Sequence, residues 1–135
     1  MIKLFALTAA IAAFAPPTHS PTPMISPEIL VQLQVDAYNA HDLDSMVACY
    51  SPAIEFWSMD GKPQGEKGTA ALRQGYSDLF ARFPKLKVKV LKRITQGAFV
   101  IDQVQAEGMG PDPITVTAIY ETAQAKIVRV WYIQK

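Results

Sequence analysis

The hydrophobic residues of this chain change period once, at Pro84. Upstream, apolar side chains recur mainly at three- and four-residue spacing; downstream, they alternate with polar ones. A period near 3.6 lines one face of a helix and a period of two lines one face of a strand. Helices first and a run of strands afterwards predict an α+β fold, with the helices packed on one face of a mainly antiparallel sheet.

The local signals place the elements. Ser26-Pro27-Glu28 reads as a helix start: a hydroxyl cap, a proline whose missing N–H costs nothing in the first turn, and an early acid. Ile29, Leu30, Leu33, Ala37, Tyr38 and Ala40 then form the apolar stripe of a helix of about 13 residues. Asp42 caps a short second helix over 43–50, ended by Ser51-Pro52. Residues 54–59 alternate as a strand, 60–68 form a loop with three glycines, and Thr69 caps a third helix that Pro84 stops. Residues 86–90, 99–107, 114–121 and 126–133 are the later strands. The first of these carries Lys87 and Lys89 on one face and aliphatics on the other, the pattern of a sheet with one wet side.

Composition narrows the class of partner. Half of the 135 residues are hydrophobic, and the net charge of +1 is due to Lys3 alone, since the other basic side chains balance the acidic ones. A neutral domain lacks the cationic excess that nucleic-acid binding requires. The single cysteine, Cys49, can form no internal disulfide, and no Cys/His cluster has zinc-ligand spacing. Lys3, the apolar run 4–15 and the triplet Ala13-Phe14-Ala15 form the zones of a secretory signal, with a proline-rich stretch following. The reading is a signal peptide and leader over 1–23 and one domain over 24–135. Export to the periplasm or the exterior follows, or a cytoplasmic protein if Met24 is the true start. Twelve apolar residues are too short for a stable membrane anchor.

Asn39-Ala40-His41-Asp42-Leu43-Asp44 before a short helix ending in Tyr50-Ser51-Pro52, Gly65-x-x-Gly68 before the third helix, and Ile127-Val128-Arg129-Val130-Trp131-Tyr132 near the end resemble the nuclear transport factor 2-like superfamily. The branch they resemble is the SnoaL-like, ketosteroid-isomerase-like one. The resemblance spans residues 27–134 and implies a cone-shaped α+β barrel of three helices on a curved sheet, an apolar pocket, and a homodimer formed through the open sheet face. It does not carry the isomerase chemistry over. The tyrosine, base and protonated aspartate of that reaction fall on Gln34, Ser58 and Ala118. The Asp-Arg-Asp set of the epoxide-hydrolase relatives fails as well, because Asp102 has Val100 and Val104 two residues away.

Asp102 stands out, since it interrupts the apolar face of Val100, Val104 and Ala106. An acid there is either desolvated, one way a carboxylate is prepared as a general base, or paired with a cation, for which Arg129 is the candidate. Tyr38 and Tyr120 are candidate phenol donors. Phe56, Ser58, Tyr76, Phe80, Arg129 and Trp131 are candidate pocket walls, although aromatics at these spacings also build plain core. His41 reads as a turn residue. The resulting expectation is a pocket for a small, mostly apolar organic molecule, with no metal or redox cofactor. One alternative is a cofactor-independent isomerase, lyase or hydrolase using Asp102 as base; another is a dimerisation module whose cone is filled by side chains.

Overall fold

The computed structural model describes residues 24–134; the leader read over 1–23 lies outside the described residues. Helix α1 (Pro27–Asn39) starts as expected, with the Ser26 hydroxyl accepting from the Ile29 N–H. Its buried face differs from the expected stripe. Leu30, Val31, Gln34, Val35 and Ala37 face the core, whereas Ile29 and Leu33 are about half exposed. Two apolar stripes overlap on this helix, and the one that meets the sheet is selected by tertiary packing.

Asp42 caps α2 (Leu43–Ala48) through the Ser45 N–H. The helix stops two residues early, because Tyr50 already belongs to strand β1 (Tyr50–Trp57). Two-residue β2 (Pro63–Gln64) folds back on β1 within the expected loop. Thr69 is not a cap: it opens α3 (Thr69–Arg82), and Gly68 occupies the cap position at φ 101° with no side chain to offer. The Gly68 N–H donates to the Ile54 carbonyl instead, tying the helix start to β1.

Strands β3 (Lys87–Gln96), β4 (Phe99–Glu107), β5 (Ile114–Ala123) and β6 (Lys126–Ile133) complete a six-stranded sheet in the order β2-β1-β6-β5-β4-β3. Neighbours are antiparallel except β1 and β6, which run parallel. Strand β3 runs six residues past the expected Val90. The register shifts between Val90 and Lys92, so the alternation resets and Arg93 points to the same side as Val88 and Val90. Gly108 follows β4 at φ 98°, where an added Cβ would overlap the Lys85 carbonyl. Only glycine lets these two segments approach that closely.

The helices cover one face of the sheet. Val31, Met46, Ile54, Leu86, Val100, Ile127 and Val130 are buried between the layers. The end of α1 is pinned to edge strand β3 by side chains. Asn39 donates to the Val88 carbonyl at 2.9 Å and accepts from the Val88 N–H at 2.8 Å, and His41 Nε2 lies 2.7 Å from the Leu86 carbonyl. The corner motif is therefore structural: Asn39 bonds Val88 as a neighbouring strand would.

Candidate functional site

The cone is not filled. Helices α1 and α3, the inner faces of β3 to β6, Met109 and Gln134 line a partly open cavity of about 240 Å³. Gln34 and Tyr38 come from α1, one turn apart and therefore on one face. Tyr76 and Leu79 come from α3, Ala118 and Tyr120 from β5, and Tyr132 from β6. Among the described residues no Asp, Glu, Lys, Arg or His lines it.

Its polar character comes from phenols and amides. The Tyr76 and Tyr132 hydroxyls bond each other at 3.0 Å. Tyr38 packs edge-on against Tyr76 and Phe80. Burial pushes the Tyr38 hydroxyl up to about 12 and drives those of Tyr76, Tyr120 and Tyr132 further from the ordinary phenol value. Tyr50 sits behind this group, its hydroxyl buried without a partner among the described residues and raised by the same desolvation. All five tyrosines of the chain thus gather at or beside the cavity and stay neutral at physiological pH. The Gln34 side chain is buried too, and its carbonyl oxygen has no hydrogen-bond partner among the described residues.

Asp102 is fully buried but does not line the cavity. Its carboxylate accepts from Arg93 Nε at 2.7 Å and Arg93 Nη2 at 2.8 Å. Arg93 Nη1 donates to Gln32 Oε1, and Gln32 Nε2 donates to Asp36 Oδ1. Donating to the Asp102 carboxylate raises the Arg93 guanidinium above its ordinary value. The expected partner, Arg129, is on the other side of the sheet. A strand read as ending at Val90 could not supply Arg93, and without the register shift the two side chains would face opposite ways.

The remaining expected wall residues divide between the cavity, its surroundings and the outer face. Tyr38, Tyr76 and Tyr120 line the cavity. Phe80 packs behind Tyr38 and stacks on His41 at 4.2 Å. Phe56 stacks on Tyr132 and lines an adjoining outer groove. Ser58 lies beyond β1 in the turn, bonded to Asp60 and the Lys62 carbonyl. Arg129 and Trp131 point away from the cavity. The Arg129 guanidinium lies over Trp57 and Trp131 at 5.0 and 5.7 Å and pairs with Glu121. On β6 the inward residues are Val130 and Tyr132, so the wall aromatic is the immediate neighbour of the one expected. Gln34, Leu79, Val88, Val116 and Tyr132 were not among the expected wall residues. Counting parity forward from Val130 finds Tyr132.

A family model for a SnoaL-like domain matches residues 31–130. The chain belongs to the SnoaL-like family. None of the curated proteins matches it. Among solved structures, a cystatin-fold protein from Novosphingobium aromaticivorans is 23% identical with a TM-score of 0.74, covering 82% of this chain and 99% of its own. A proposed polyketide cyclase from Sinorhizobium meliloti is 16% identical, TM-score 0.68, covering 81% and 100%. A proposed ketosteroid isomerase from Kribbella flavida is 13% identical, TM-score 0.69, covering 81% and 77%. At these identities the three structures show a shared fold and no more.

Proposed function

We propose that this SnoaL-like domain binds a small, neutral, mostly apolar organic molecule inside its cone. One observation carries the reading: the cavity wall is apolar carbon, neutral phenol and amide, without a charged group among the described residues. A dry apolar cavity of about 150 Å³ is enough to hold benzene, so about 240 Å³ suits a one- or two-ring compound. An ionised ligand would lose its hydration with no counter-charge to replace it. Tyr38 and Tyr120 are the donors for an oxygen on the ligand.

The test compares isosteres by thermal shift. Acetophenone and naphthol should raise the melting temperature, whereas benzoate and naphthoate at equal concentration should not. Equal stabilisation by benzoate, or none by any compound, would overturn the reading. Catalysis by Asp102 needs a carboxylate that can reach the ligand, and here Arg93 occupies both oxygens. Asp102→Asn that still folds should keep its response to acetophenone.

Two further expectations remain part of this proposal. One apolar row across the outer face of the sheet, with Ile101, Ile119 and Trp131 in register, supports pairing with a second copy, and the charge, apolar run and small-residue triplet at the N-terminus support export, which N-terminal sequencing of the native protein would check.

A further inference from the structure

Outside the cavity, a groove of about 430 Å³ runs between α3 and the β1–β2 hairpin. The two spaces share three wall residues: Tyr76, Leu79 and Tyr132. Their common partition thus contains the Tyr76–Tyr132 hydroxyl pair, bonded at 3.0 Å. Phe56 and Leu72 make other parts of the groove wall apolar, and Glu66 supplies the charge beside them.

Gly75 gives an independent observation. It sits inside α3, where glycine weakens a helix relative to alanine. Its φ is not positive, and among the described residues a Cβ built there would meet no atom within 4 Å. Neither backbone conformation nor close packing therefore requires glycine at this position. What its missing side chain does is leave the groove open, since Gly75 forms part of that wall.

We infer that the groove is a second subsite, continuous with the cavity, that takes the apolar tail of an elongated neutral ligand whose ring occupies the cone. This rests on the cavity-binding reading above and adds the ligand's shape to it. The tail passes the Tyr76–Tyr132 pair, whose hydroxyls part to admit it. Gly75 determines specificity by keeping the tail's path clear.

The experiment measures binding of acetophenone and para-hexylacetophenone by calorimetry to the wild-type chain, Gly75→Ala and Gly75→Leu. The wild type should bind the hexyl compound at least about tenfold more tightly, from burial of its methylenes. In Gly75→Leu that advantage should fall to about twofold or less, with acetophenone affinity unchanged. Gly75→Ala should melt about 3 °C higher, because alanine is the better helix former, while the hexyl advantage shrinks. An undiminished advantage in a folded Gly75→Leu would overturn the inference and leave the cavity reading standing. Joint loss of both ketones in that folded variant would overturn the separate subsite. Failure of the wild type to bind either ketone would overturn both readings.

Discussion

At the residue scale, the cavity's tyrosines make a prediction about alkaline pH. In an unfolded chain a phenol ionises near pH 10, whereas burial holds Tyr38 neutral to about 12 and the other four tyrosines are also raised. Above pH 10 the unfolded state therefore binds fewer protons than the native one, so stability must fall as pH rises. Below pH 10 these groups contribute no pH dependence. An alkaline titration should show little tyrosinate absorbance until the far-ultraviolet dichroism collapses, and then both should change together. Gradual ionisation of several tyrosines at constant dichroism would contradict the buried cluster. Asp102 makes the second residue-scale prediction. Removing one member of a buried ion pair leaves the other uncompensated, at a cost of about 3 kcal/mol or more. Asp102→Ala should lose that much in urea unfolding, and the double variant Asp102→Leu/Arg93→Met should recover most of it, because an apolar pair of similar volume leaves no charge stranded.

At the element scale, the corner between α1 and β3 is held by two side chains of a short motif. Asn39→Ala removes both bonds to Val88. The cost should be about 1–2 kcal/mol, since water can reach part of this edge strand and replace what is lost. Hydrogen exchange of the Val88 amide should accelerate in the variant more than exchange in the central strand β5. The same corner shows how far the elements were legible. Periodicity, caps and breakers located α1, α3 and the later strands because those signals are local: Ser26 and Pro84 act on their immediate neighbours. The face of α1 that is buried, the parallel pairing of β1 with β6, and the extension of β3 depend on distant partners. For the site, Tyr38, Tyr76 and Tyr120 were legible as aromatic phenols on the elements that meet the cone. Tyr132 was displaced to Trp131 by one position, and the Arg93 partner of Asp102 was hidden because a one-residue shift near Leu91 reverses every later side chain of that strand.

At the scale of the whole molecule, the outer sheet face carries a row of apolar side chains in cross-strand register. Ile94 pairs with Ile101, Ile101 with Ile119, Ile119 with Trp131, and Trp131 with Trp57, across five strands. Beside it, Glu121 and Glu55 flank Arg129 in the next row. A contiguous apolar row bordered by polar residues is the composition of an interaction surface. A two-fold axis near its centre would set the row of one copy against that of the other. Ile119 lies mid-row, so Ile119→Lys would bring two like charges together in a desolvated interface. Sedimentation equilibrium should show a dimer for the wild type and a monomer for the variant. Because the row lies on the opposite face from the cavity, acetophenone binding should survive in the monomer. A wild type that stays monomeric at high micromolar concentration would overturn the pairing while leaving the cavity untouched. Loss of ligand binding on monomerisation would instead show that the cone keeps its shape only in the dimer, and the two faces of the sheet would have to be treated as one coupled unit.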